Sequence, residues 1–447
     1  MIAGKTDHWL NPAIVGWFAA SLFYFYQYVL RTAPSVMATD LGQAFGLTVA
    51  GLSALVGLFY YGYAPFSLVA GVAMDQFGPR KVTPVAAAVA GVGCLLFATG
   101  SLHLAALGSF LQGAAAIFAV VSAVHIATTR FPASKAGTLI GLTQTIGMAG
   151  GAACSFLVGP ALTAGLPWKT FWLIAGVMGF VLAGLQLAFM PKEEPRPADA
   201  IAGPVRHRWR DITTSFRAVF SNPQSILCGV IAGLLFIPTT IFGMMWSVQF
   251  LQEGYDLPYT VAVLRSASVS LGWIIGAPLL GMLSDRIGRR KPVIIASAVV
   301  LFGCLLAVLF GRPGLFPDYS LGLVAGIASG AAMLPYTVIK EANPPEYGGT
   351  ATGVISFINF LLSALLGPVF GTLLARASEG GTRELVHYQT AFTPLLGIVA
   401  LALILTLCLR ETGPASRTAK QPANAPKPGS SRSSDHQFHS SGRTPHV

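Results

Sequence analysis

Two arginines stand where a cation is hardest to keep. Arg31 falls within FYFYQYVLRTAPSVM and Arg265 within TVAVLRSASVSLGW, each inside a run apolar enough to cross a bilayer. A guanidinium there is costly, and its planar donors match a carboxylate or phosphate, so the chemistry offered is the grip of an anion. The other reading for each is a side chain that snorkels to the headgroups. None of the 17 acidic residues lies in the central part of an apolar run, so an anion would meet no competing carboxylate. Tyr24, Gln27, Gln144 and Trp246 complete the candidate binding set. A glutamine in lipid turns toward the bundle interior for a partner, whether that partner is a solute or another helix. Tyrosine and tryptophan have a competing role as an interfacial belt. His125 is the candidate proton carrier, with a histidine hydrogen-bonded at a helix end as the plainer reading.

These residues need elements that hold them in lipid. The chain of 447 residues is 53% hydrophobic and only 10% charged, too little polar surface to face water on all sides. Apolar windows long enough for about 20 residues of helix recur throughout. Twelve spans are expected near residues 12–33, 48–73, 83–100, 104–127, 137–162, 167–190, 225–250, 260–283, 292–311, 320–339, 348–375 and 389–409. Helices satisfy every backbone group within one segment, and the alternation of a β-barrel is missing from these runs. The fold class is therefore an all-α membrane bundle.

The net charge of +11 is distributed as a membrane orientation signal rather than as a nucleic-acid surface. With the N-terminus inside, inner segments carry 22 Lys and Arg, and outer loops carry only Lys169, Arg312, Arg376 and Arg383. That asymmetry places both termini in the cytoplasm. The first span lacks a small-residue cleavage pattern and reads as a retained helix. The five cysteines fall in apolar spans at no metal-like spacing, and no phosphate-binding loop or HExxH pattern occurs. No cofactor, metal or catalytic residue is expected, and the protein is read as a non-enzyme.

Composition breaks at PKEEPRPADAIAGPVRHRWRDITTSFRAVFSNPQ, residues 191–224, which divide the chain into halves 1–190 and 225–411. Ile212, Phe216 and Phe220 at helical spacing predict a short amphipathic helix there. Residues 412–447 are rich in Pro, Ser, Lys and Arg and read as a disordered basic tail. The halves repeat. GVAMDQFGPRK, residues 71–81, and GMLSDRIGRRK, residues 281–291, share Gly-x3-Asp-x2-Gly-x-Arg-Lys, 210 residues apart. Pro132, Gly137, Thr138 and Gly141 recur as Pro344, Gly349, Thr350 and Gly353, 212 residues apart. Such a six-plus-six duplication is characteristic of secondary transporters.

The repeated element resembles the signature loop of the major facilitator superfamily, and with twelve spans the resemblance covers nearly the whole chain. It implies two pseudo-symmetric six-helix halves, alternating access to a small solute, and an inner gate worked by an interdomain charge relay. Asp75, Arg80, Lys81, Asp285, Arg290 and Lys291 are the gating candidates on that basis; positive-inside anchoring is the alternative for the cations. It also implies that Arg31 and Arg265 lie on cavity-lining helices. Arg31 before TAPSVM resembles the first-helix arginine of organic-anion and sugar-phosphate carriers. FRAVFSNPQSI and FGMMWSVQFLQEGYDLP resemble bacterial carriers near the phagosomal amino-acid and lysosomal dipeptide branches. The expected activity is secondary or facilitative transport of a small, carboxylate-bearing solute (organic anion, amino acid or short peptide) by a monomer in a bacterial inner membrane. An efflux carrier for a drug or siderophore, and a non-transporting membrane sensor, are the alternatives.

Overall fold

The structure, a computed structural model, describes residues 12–191, 205–311, 319–344, 347–379 and 381–413. Twelve helices are long and apolar enough to span a bilayer, and the described residues contain no strand. They are α1 (Pro12–Val36), α2 (Val49–Met74), α3 (Pro79–Ala98), α4 (Leu102–Arg130), α5 (Thr138–Thr163), α6 (Trp168–Phe189), α7 (Pro223–Gly254), α8 (Tyr259–Ile287), α9 (Lys291–Phe310), α10 (Ser320–Glu341), α11 (Gly348–Ala377) and α12 (Leu385–Cys408). An even number of crossings returns the chain to the face it started from, called here the terminal face. Most of these helices have low amphipathicity because one side meets lipid and the other meets apolar neighbours.

The duplication is visible as packing. Gly62 on α2 approaches α4 so closely that an added Cβ would lie 2.8 Å from the Ala114 nitrogen. Gly272, 210 residues later on α8, would meet the Gly326 Cα of α10 at 2.9 Å. In return, Gly113 lies against the backbone of Phe59, and Gly326 lies against the backbone of Val269. Without a hydrophobic drive between helices in lipid, small residues bring backbones together and dispersion does the rest. The same pair of crossings thus builds each half.

The halves meet mainly through α2 with α11 and α5 with α8. Ser67 donates to the Gly353 carbonyl at 3.3 Å toward the terminal face, and Ser53 donates to the Gly367 carbonyl at 3.1 Å toward the other. The opposite face is further tied by Gln249 Nε2 donating to the Ser35 carbonyl at 3.0 Å and by Tyr259 donating to the Val36 carbonyl. Helix α7 carries wide π turns over Pro238–Trp246 and Phe250–Gly254. Such turns break the regular i→i−4 ladder and occur often at functional positions.

Between the halves runs a helix over Val205–Ser221, longer than the sequence pattern predicts. Val219 is buried, and Phe220 packs edge-on against Phe357 of α11 at 6.3 Å, so its apolar side is seated on the second half. Residues 192–204 and the tail from 414 lie outside the described residues.

Candidate functional site

Along α1 the residues Tyr24, Gln27, Tyr28 and Arg31 recur at three- and four-residue spacing and so share one helix face. All four are buried, Arg31 with 6% of its surface exposed. Its guanidinium carbon lies 4.6 Å from the ring centre of Tyr28, 5.2 Å from Phe59, 5.8 Å from Tyr60, 5.3 Å from Tyr63 and 5.2 Å from Phe360. Three of these rings come from α2, and Phe360 comes from α11 in the other half. Tyr63 and Phe360 touch directly, with centroids 3.9 Å apart.

This cage holds a cation through ring quadrupoles, and the Tyr63 hydroxyl adds a hydrogen bond to the guanidinium. Nε and Nη1 of Arg31 have no hydrogen-bond partner among the described residues, and neither do both amide atoms of Gln27. Buried polar groups are normally paired, and here two neighbours one helical turn apart carry atoms without a partner among the described residues. A cavity of about 10 Å³ beside Arg31, also lined by Ser109 and Gln112, is the size of one water.

The rim of the cluster is better satisfied. Tyr24 donates to Gln144 Oε1 at 2.9 Å, and Gly147 leaves room for the Tyr24 ring. Asn359 Nδ2 donates to the Tyr336 hydroxyl at 3.2 Å, leaving Asn359 Oδ1 without a partner among the described residues. Tyr24, Gln27, Gln144 and Arg31 are therefore one neighbourhood built on α1 and α5. Trp246 is buried at the end of a π turn in α7 with its indole N–H unpaired among the described residues.

Arg265 is elsewhere. It is half-buried and lines a cavity of about 440 Å³ within the second half, together with Ser247, Ser266 and Ser268. Val263 and Ser270 of α8 face Gly159 and Gly151 of α5, and Arg265 projects from the other side of the helix. The two arginines, expected to share one cavity, are not brought together. His125 sits partly buried near the terminal-face end of α4, where its carbonyl accepts from the Thr129 hydroxyl at 2.7 Å.

At the terminal face the second signature element forms a charge network inside its own half. Arg290 Nη1 contacts Asp285 at 2.5 Å and Nη2 contacts Glu341 of α10 at 3.0 Å. Glu411, just past α12, accepts from the backbone N–H groups of Arg290 at 2.7 Å and Lys291 at 3.1 Å, capping α9. Lys291 Nζ reaches the Leu407 carbonyl at 2.9 Å. Burial pulls the Arg290 guanidinium down, but hydrogen bonds to Glu341 and Asp285 outweigh it and hold the pKa above its ordinary value. These partners of Asp285 and Arg290 tie α8, α9, α10 and the end of α12 together, whereas the relay implied by the resemblance joins the two halves. In the first element Arg80 is half-buried and Lys81 exposed, and the Asp75 side chain lies outside the described residues.

Phe59 and Phe360 escape sequence reasoning because a Phe in an apolar span reads as ordinary core, and Tyr28 is passed over beside Tyr24 and Gln27. The spacing of Tyr24, Gln27 and Tyr28 before Arg31 is the signal that points to the face they share.

The model of the Major Facilitator Superfamily matches residues 17–365 and, again, residues 266–440. The chain belongs to the major facilitator superfamily. A probable sulfoacetate transporter of Cupriavidus necator is 26% identical over 400 residues, covering 85% of this chain and 90% of that protein. The hexuronate transporter of Bacillus subtilis is 25% identical over 363 residues, covering 78% and 84%. Among solved structures, a bacterial homologue of the human lysosomal transporter Spinster, inward-facing and unoccupied, superposes with a TM-score of 0.67 at 15% identity, covering 90% of this chain and 97% of that one. This carrier is thus a multi-pass membrane transporter of the major facilitator type.

Proposed function

We propose that the carrier moves a small organic anion, bearing a carboxylate or sulfonate, across a bacterial inner membrane by alternating access, with both termini in the cytoplasm. The observation that carries this reading is Arg31: a buried cation, held at the junction of the halves by five rings, with Nε and Nη1 unpaired among the described residues. A bound anion would supply the missing acceptors, and charge-assisted hydrogen bonds are the strong ones. Gln27, one turn away, would take a hydroxyl or a second oxygen of the solute, with Tyr24 and Gln144 shaping the floor.

The names of the relatives support the class, since sulfoacetate and hexuronate are both acids. An amino acid or peptide, suggested by the narrower resemblance, also needs an acceptor for its ammonium group. The cluster around Arg31 offers only phenol and amide oxygens for that. The signature elements are proposed to act at the gate of the terminal face, with Arg290 fixing the second half as a rigid body while the halves rock.

Uptake of radiolabelled sulfoacetate and glucuronate into proteoliposomes tests the reading. Removing a hydrogen-bonded charge costs about 1.5–3 kcal/mol, so Arg31→Ala should weaken binding by about 10- to 150-fold. Arg31→Lys should recover only part, because a point charge cannot reproduce the planar donors. Unchanged anion uptake in Arg31→Ala, with thermal stabilisation only by cationic compounds, would refute it.

A further inference from the structure

The cavity of about 440 Å³ beside Arg265 falls within the size range of small-molecule sites. Its described lining comes from α7, α8, α9 and α10 and the short segments at their ends, all in the second half. Leu257, just before α8, and Gly311, just past α9, mark its end at the face opposite the termini. Leu301, ten residues before Gly311, marks the inner end, so the cavity runs about 15 Å along α9 toward the middle of the bundle.

The chemistry along this length is uneven. The inner part is walled by Phe242, Val269 and Leu301, and its one hydroxyl, on Thr239, is already bonded to Ser329 at 2.7 Å and Trp273 at 3.1 Å. Part-way out stands Arg265, six residues into α8 and so about 9 Å from the helix end. The serines near it are engaged. Ser247 donates to the Gly243 carbonyl at 2.6 Å and pairs with Ser266, while Ser268 donates to the Arg265 carbonyl at 2.6 Å. No acidic side chain belongs to the described lining. Glu253 turns away to Arg383 and Tyr388, and Asp256 is exposed. A long apolar cavity with one cation set in its wall matches a molecule with a hydrocarbon tail and a single anionic head. At about 30 Å³ for each heavy atom, water's share of its own liquid, the space takes about fifteen of them, which admits decanoate at about twelve and excludes a whole two-chain phospholipid.

We infer that this cavity is a second ligand site, separate from Arg31, for a single-chain amphiphilic anion such as a medium-chain carboxylate, with its head at Arg265 and its tail among Phe242, Val269 and Leu301. The occupant would join the wide turns of α7, which supply Phe242 and Phe250, to α8, α9 and α10, and so stabilise the second half. The site stands independently of the organic-anion reading of Arg31.

The experiment follows thermal unfolding of the full chain in phosphatidylcholine nanodiscs titrated with decanoate. A ligand that binds the folded state raises Tm with its concentration, so decanoate should give a saturable rise and acetate none. Decanol and decyltrimethylammonium should need at least about tenfold higher concentrations, a difference of about 1.4 kcal/mol. Arg265→Gln should abolish the preference for decanoate over decanol, and Arg31→Ala should keep it. Leu301→Phe, which adds ring volume at the inner end, should weaken decanoate; if that variant does not fold, the Arg265→Gln comparison still decides. An unchanged preference in Arg265→Gln, the result expected of a side chain that only snorkels, would overturn the assignment of the head. Loss of the response in Arg31→Ala with retention in Arg265→Gln would move decanoate to the first site and overturn the second. A decanoate response abolished by phosphatidylglycerol in the nanodisc would give the cavity to a phospholipid chain and overturn the single-chain occupant. Absence of a saturable rise in the wild type would overturn the site itself.

Discussion

The crossing of α2 and α4 supplies a perturbation whose size can be worked from geometry. In Gly113→Ala the new Cβ would lie 2.6 Å from the Phe59 carbonyl carbon and 2.9 Å from its Cα. Favourable carbon contacts begin near 3.5 Å and the Phe59 carbonyl oxygen lies nearer still, so the helices must part by more than about 1 Å, because the obstacle is backbone and cannot swing aside. Overpacking of this kind costs about 1–3 kcal/mol. For a unit of 150–250 residues, the size of one six-helix half, that is a loss of about 2–12 °C in Tm. Phe59, Tyr60 and Tyr63 ride on the displaced segment, so three of the five rings around Arg31 shift with it. The assay is Tm of the purified protein in detergent, with glucuronate uptake measured in parallel. Gly184→Ala is the control, since nothing lies within 4 Å of a Cβ there and alanine favours a helix. If Gly113→Ala matches the wild type in both measurements, or if the two variants lose Tm equally, close approach at Gly113 does not hold the cage.

Phe360→Ala should lower stability by about 3–5 kcal/mol through the cavity it leaves, read as Tm. Phe360→Leu keeps most of the volume but loses the ring face toward Arg31, so binding of the anion should change by about 0.5–2 kcal/mol, measurable by calorimetry. Arg290→Ala should destabilise the second half by about 1–3 kcal/mol. Most of that comes from Glu341, whose side chain is 17% exposed, rather than from Asp285 at 68%, where solvent screens the pair. A Tm within error of the wild type would show that the network does not hold α8, α9 and α10 together.

What the chain determined by itself follows from properties that act locally. Twelve crossings are set by apolar length against bilayer thickness, the helical class by the need to pair every backbone group in lipid, and the duplication by GVAMDQFGPRK and GMLSDRIGRRK. Arg31 was legible as a candidate because a charge in an apolar run is conspicuous. Its companions were not, since whether Phe59 or Phe360 faces lipid, core or solute depends on the azimuth each helix adopts against its neighbours. Arg265 shows the same limit from the other side. Its counterpart 210 residues earlier is Leu55 on α2, not Arg31 on α1, so the duplication never related the two arginines. Only packing of α8 against α5 turned Arg265 toward the cavity of its own half, while the crossing of α2 with α11 carried Phe360 to Arg31. Hydropathy acts on each segment alone, but the direction of a side chain is chosen by contacts between segments far apart in the chain.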